Sequence, residues 1–283
     1  MSKAIVYSFY SVPENPENSP TFVMLQYSLE TLRNHNPDIL VLLYVYNTKE
    51  RDVYHKTFGH INNLEIKFKT YTPPENLSKI HMLMMEHKWA SVFDALEKYQ
   101  AVLFTDCDTV FFDDPDLLFI KYNDPTKVYT RGSLLGGDFL KFFKIKNLVM
   151  NDGQFLIRDY FLKDKQTFLD ARINYMLDKI KELNKMEVDE KEYENIYSWI
   201  NWSGSQYGIT LLLHNINAFQ EFAAEDVSLF TDLVSINDKE DLVLLHYFNY
   251  NIHHVLPKKY LNKISKKVRE DVKKVQEEWV WDV

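Results

Sequence analysis

Cysteine is almost missing: Cys107 is the only one in 283 residues. A lone thiol forms no internal disulfide and builds no cysteine zinc site, which suits a reducing compartment. Basic charge is short as well. The 33 Lys and Arg are outnumbered by 41 Asp and Glu, for a formal net charge of −8, so there is no broad positive footprint for nucleic acid. No apolar run approaches the roughly 18 residues that span a bilayer. The opening Met-Ser-Lys-Ala-Ile-Val-Tyr-Ser is too short and polar for a secretory signal. Internal repeats, low-complexity tracts and linker-like stretches are also missing. The expectation is a cytoplasmic protein with one domain over residues 1–283.

What is present is ordinary globular material, 46% hydrophobic and 26% charged, which excludes wholesale disorder. Ala4–Tyr10 reads as a buried strand, and Ser19-Pro20 opens a helix with Phe22, Leu25, Leu29 and Leu32 at helical spacing. Ile39–Tyr46 is a second buried strand, Leu64–Lys69 alternates like a more exposed one, and Leu77–Lys98 is a helix leading into Ala101–Thr105. Strand, helix, strand, helix, strand predicts an α/β fold with a mixed, mainly parallel sheet covered on both faces. Beyond it, Lys127–Thr130 and Phe155–Ile157 read as short strands and Phe168–Leu183 as a helix. Near the end, Leu261, Ile264, Val268, Val272, Val275 and Trp279 share one face of an amphipathic helix at about 258–281. It packs on its own domain in one reading and meets a membrane surface or a partner in the other.

The chemistry concentrates at Asp106-Cys107-Asp108. Two carboxylates at i and i+2 share one side of a strand. At the carboxyl end of a buried parallel strand they face the crevice where open α/β sheets bind ligands. Their mutual repulsion is relieved by a divalent cation, and hard oxygen ligands suit Mg2+ or Mn2+. Cys107, between two acids, is a poor nucleophile. The plainer alternative is a strand-end turn leading into Asp113-Asp114-Pro115.

The whole run, Leu103-Phe-Thr-Asp-Cys-Asp-Thr-Val-Phe-Phe-Asp-Asp-Pro-Asp-Leu-Leu-Phe119, resembles the signature of GT-A fold glycosyltransferases. It is most similar to the family-8-like enzymes, relatives of glycogenin and the lipopolysaccharide galactosyltransferases. The resemblance implies a GT-A fold and transfer of a hexose from a nucleotide-diphosphate sugar, UDP-sugar favoured, to a carbohydrate or glycoconjugate hydroxyl. It implies Mn2+ (or Mg2+) held by Asp106, Asp108 and His246, which ends Leu242-Val-Leu-Leu-His; His253 and His254 are shifted alternatives. Ser8 and Tyr10 fall where the family holds the nucleotide, Lys88 where it places a base on the diphosphate, and Asn151 in an Asn-x-Gly that binds donor or acceptor sugar. Gln206 matches a Gln close to the anomeric carbon, preceding a helix, although Ser205 stands where the family has Asp. Lys258 is a loose match to a late diphosphate lysine. Retention is favoured, with Gln206 or a substrate oxygen beneath the ring; inversion would make Asp152 the base. Two other readings stay open. Asp106 and Asp108 also fit the Asp-x-Asp of haloacid-dehalogenase phosphatases, and a GT-A-like chain can bind a sugar nucleotide without turnover.

Overall fold

The apolar runs become the centre of a seven-stranded sheet. The computed structural model describes residues 1–10, 20–70, 80–133, 149–229 and 242–246. Strands β1 (Lys3–Tyr10), β2 (Val41–Tyr46), β3 (Leu64–Lys69), β4 (Ala101–Thr105), β6 (Val128–Ser133), β7 (Val149–Arg158) and β8 (Phe219–Glu221) lie in the order β3-β2-β1-β4-β7-β6-β8. The first four pair in parallel, while β7 runs antiparallel to both β4 and β6. A second sheet, β5-β10-β9, is built from β5 (Thr109–Phe111), β9 (Val227–Leu229) and β10 (Leu244–His246).

Every residue of β2 and β4 is buried, the mark of parallel strands covered on both faces. Alternate side chains serve different layers. Ile5, Tyr7 and Leu103 pack with Phe22, Leu25, Leu29 and Leu32 of helix α1 (Pro20–His35) and with Tyr54 and Phe58 of α2 (Arg51–Phe58). Ala4, Val6 and Phe104 pack on the opposite side with Trp89, Val92 and Phe93 of α3 (Ile80–Leu96). On the edge strand β3, Lys67 and Lys69 blunt further pairing. The chain steps outward from β1 to β3, then α3 carries it back to β4 on the other side of β1. That reversal opens a crevice beyond the carboxyl ends of β1 and β4.

Three local expectations change. The Asp106–Asp108 segment is a bend between β4 and β5, where the chain leaves the main sheet for the second one. The short strand expected at Phe155–Ile157 is the end of the ten-residue β7, all of it buried, which also contains Asn151-Asp152-Gly153. And Ser203–Gln206 does not precede a helix. It sits within α6 (Glu190–Asn215), whose start is set by Asp189 accepting a hydrogen bond from the Glu192 amide. Gly204 and Gly208 are contact residues against α5 (Lys165–Leu183). A Cβ at Gly208 would lie 2.7 Å from the Ala171 carbonyl oxygen. The expected helix at 258–281, Pro73-Pro74 and the loop ending at Ser19 lie outside the described residues.

Candidate active site

The bend at the tip of β4 is held from three sides. The Asp106 amide donates to the Gly153 carbonyl of β7 at 2.7 Å, and the Thr105 hydroxyl donates to the Thr109 hydroxyl at 2.8 Å. Cys107 is turned into the core beside Tyr7, Leu103 and Phe111. Asp106 and Asp108, flanking it, are both half-buried. Burial, reinforced by Asp106 and Asp108, pushes the Cys107 thiol well up, so this soft ligand type stays protonated. A different acid binds the chain leading into the next helix: Asp114 accepts from the Asp116 amide at the start of α4 (Asp116–Lys121) and from Asn36.

Lys88, on α3, reaches this bend. Its Nζ lies 2.8 Å from Asp106 Oδ2 and 3.6 Å from Asp152 Oδ1, and 5.7 Å above the Phe104 ring centroid. Lys88 is 7% exposed and Asp152 3%. Burial by itself would push the ammonium down. Asp106, Asp152 and Asp108 more than offset it and hold it above its ordinary value. The neighbours of Lys88 leave its helix turn little freedom. The His87 ring stacks on Tyr46 at 3.8 Å between centroids, and Trp89 stacks on Phe155 at 4.4 Å. Burial, with Arg172 nearby, pushes His87 down to about 3; it is a neutral packing group at ordinary pH.

Asp152 arrives through a bulge. Thr130 pairs with Phe155 and Gly132 with Met150, so four residues of β7 stand opposite one of β6. The Thr130 hydroxyl pins the bulge by donating to the carbonyls of Asn151 (2.6 Å) and Gln154 (3.1 Å), and Asn151 Oδ1 accepts from the Gly153 amide. Leu156, beyond the bulge, faces the α1 layer. Met150, before the bulge, faces the α3 layer, and Asp152, two residues further on, lies on that same side against Lys88. Its Oδ2 is buried and has no hydrogen-bond partner among the described residues.

The remaining candidates fall as follows. The register of β1 and β4 ends at Val6 opposite Phe104, so Ser8 and Asp106 both lie two residues beyond it, at the same end of the sheet. Tyr10 ends β1, and its side chain is outside the described set. The backbone of His246 pairs with Thr109, next to Asp108, while its imidazole is likewise outside. Gln206 is half-buried within α6, its carbonyl accepting from Thr210, and among the described residues no hydrogen bond or ion pair joins its side chain to the Lys88 cluster. Ser205 is fully buried. Lys258, His253 and His254 lie outside the described residues. Among those described, no three acids, histidines or cysteines are set to hold a metal ion together. Sequence reasoning overlooked the Lys88–Asp152 pair and the role of His87. The available signal was a His-Lys-Trp run in the middle of a helix rich in Met, Leu, Val and Phe.

No helix among the described residues is long and apolar enough to cross a membrane. No protein-family model matches the sequence, and a search of curated proteins finds no match. Solved structures do match. Mouse xyloside xylosyltransferase 1, in its apo form, superposes with a TM-score of 0.57 at 10% identity over 88% of this chain and 98% of its own. The glycosyltransferase GlyE of Streptococcus pneumoniae TIGR4 gives 0.58 at 10% identity over 98% of this chain, which spans 63% of GlyE. The galactosyltransferase LgtC, solved with donor and acceptor sugar analogues, gives 0.55 at 11% identity over 99% of this chain and 98% of its own. The architecture follows from these likenesses and from the sheet order: this chain has the GT-A fold of those glycosyltransferases.

Proposed function

We propose that the chain is a metal-dependent glycosyltransferase that moves a hexose from a UDP-sugar to a hydroxyl of a carbohydrate or glycoconjugate, with retention. The observation that carries this reading is the Lys88 ammonium set against Asp106 at the β1/β4 crevice. Formally, Asp106, Asp108 and Asp152 act on one lysine. Three negative charges around one positive leave a deficit that a divalent cation fills, and carboxylate oxygens suit Mg2+ or Mn2+. Asp106 and Asp108 would hold the ion, joined by His246, whose strand lies beside the bend. Bound there, the ion supplies Lewis-acid stabilisation of the leaving diphosphate.

The chain's own residues do the rest. Lys88 places a fixed positive charge at the diphosphate, where a buried site makes it effective. Ser8 and Tyr10, at the tip of β1, border the nucleotide. Asn151 positions the sugar, Gln206 lies beneath the ring and Lys258 adds a late phosphate contact. The acceptor oxygen bonds to the anomeric carbon as the bond from that carbon to the phosphate oxygen breaks. The electron pair leaves with the diphosphate, which also receives the acceptor proton. Burial and the ion pair with Lys88 favour Asp152 as an anchor over Asp152 as a general base. The single buried thiol suits a cytoplasmic setting.

The test is a panel of UDP- and GDP-sugars with Mn2+, reading nucleoside diphosphate release. UDP-hexose turnover is expected. Asp108→Ala should lower it by about 10²–10³, the scale of losing one stabiliser of transition-state charge, and EDTA should remove it. Equal turnover in EDTA would sink the metal; nitrophenyl phosphate hydrolysis indifferent to sugar nucleotides would favour a phosphatase.

A further inference from the structure

A buried ammonium needs an anion in every state of the site. Lys88 now has its closest partner in Asp106 Oδ2, at 2.8 Å. The proposed function, on which this inference rests, also assigns Asp106 to a metal ion. Once a dication draws that carboxylate's charge, Lys88 loses most of its counter-charge while remaining 7% exposed. Water cannot replace the lost partner there. One carboxylate is placed to do so. Asp152 Oδ1 is already 3.6 Å from Nζ, and its Oδ2 is buried without a hydrogen-bond partner among the described residues. The side chain lies within the four-against-one bulge of β7, on the face that meets Lys88.

We propose that Asp152 is the second seat of the Lys88 ammonium, receiving it from Asp106 when a divalent cation binds. Asp152 is therefore a positioning residue. It keeps Lys88 charged and aimed at the crevice in the loaded state, and it makes metal uptake an exchange of cations on Asp106 rather than the stranding of a lysine. A small rotation of the lysine side chain suffices, since both carboxylates are already within ion-pair reach.

The experiment is a double-mutant cycle on Mn2+ binding to the full chain, by isothermal titration and by the paramagnetic signal of free Mn2+, with no substrate present. The isosteric Asp152→Asn should weaken Mn2+ binding about 10–100-fold, the range found for partners that orient metal ligands. In a Lys88→Met background there is no ammonium to reseat, so the same substitution should cost only the loss of one nearby negative charge, a clearly smaller factor. Asp152→Asn should also shrink the rise in unfolding midpoint that Mn2+ produces. If Lys88→Met does not fold, Lys88→Gln takes its place. Equal losses in both backgrounds, or no loss from Asp152→Asn while the unmodified chain binds Mn2+, would overturn the second seat alone. Failure of the unmodified chain to bind Mn2+ would overturn the metal reading and this inference together.

Discussion

At the scale of single residues, the crevice is organised around groups whose charge state burial controls. His87 is the clearest. Its folded pKa of about 3 lies below the ordinary 6.5 because burial and Arg172 disfavour the imidazolium. Between those values the unfolded chain binds a proton that the folded chain refuses, so stability rises with pH across that window. The contribution is complete above about pH 6.5 and fades as pH falls toward 3, at no more than about 1.4 kcal/mol per pH unit. His87→Phe keeps a ring against Tyr46 and removes the titration. Urea unfolding at pH 4 and pH 7 should show a smaller acid loss for this variant than for the unmodified protein; identical losses would mean His87 is protonated in the fold. Lys88 has the opposite sign. Its pKa is raised above the ordinary value by three carboxylates working against burial, so its ion pairs contribute fully at neutral pH and are lost only far into the alkaline range. The sequence offered Lys88 as a phosphate contact from position alone. That it is paired with Asp152, more than sixty residues along the chain, depends on β7 becoming the neighbour of β4, and no local pattern reports it.

At the scale of elements, the long helix α6 illustrates how packing overrides local signals. Ser203-Gly204-Ser205 consists of poor helix formers, yet it lies well inside the helix. Here they are small because α5 comes close. A Cβ at Gly208 would meet the Ala171 carbonyl at 2.7 Å, a backbone atom with nowhere to go, whereas at Gly204 it would meet the flexible Met176 side chain at 2.6 Å. The two positions should therefore separate. Alanine gains about 1 kcal/mol of helix propensity at either site. At Gly208 overpacking of about 1–3 kcal/mol should outweigh it, while Gly204→Ala should come out near neutral. Chemical denaturation of both variants decides the matter, and a Gly208→Ala as stable as the unmodified chain would mean that the helices can move apart. The strands tell the converse story. β1, β2 and β4 were legible because a strand buried on both faces must be apolar throughout. β7 is buried just as fully, but its polar Asn151-Asp152-Gly153-Gln154 segment hid its length.

At the scale of the molecule, the site lies where two sheets meet. The chain passes from the main sheet to the second one at the Asp106–Asp108 bend. A ligand gripped there ties together β1, β4 and β7, together with β5 and β10 of the second sheet. On the proposed function, UDP with Mn2+ at about a hundred times its Kd should stabilise the fold by about 2.7 kcal/mol, read as a rise in unfolding midpoint. EDTA should abolish the gain, and double-stranded DNA should give none, as expected from a net charge of −8. Stabilisation by UDP that is unchanged in EDTA would argue for a nucleotide site without a metal.

By itself the sequence determined the alternation of strands and helices, the parallel half of the sheet and the location of the acidic pair at a strand's end. Each of these follows from local apolar periodicity and from turn chemistry within a few residues. The tertiary structure alone decided that the pair occupies the bend between two sheets, that Asp152 faces Lys88 from β7, and that the glycines of α6 serve contact with α5. Those outcomes depend on which strands become neighbours and how closely two helices approach, and such distances are set by the packing of residues far apart in the chain.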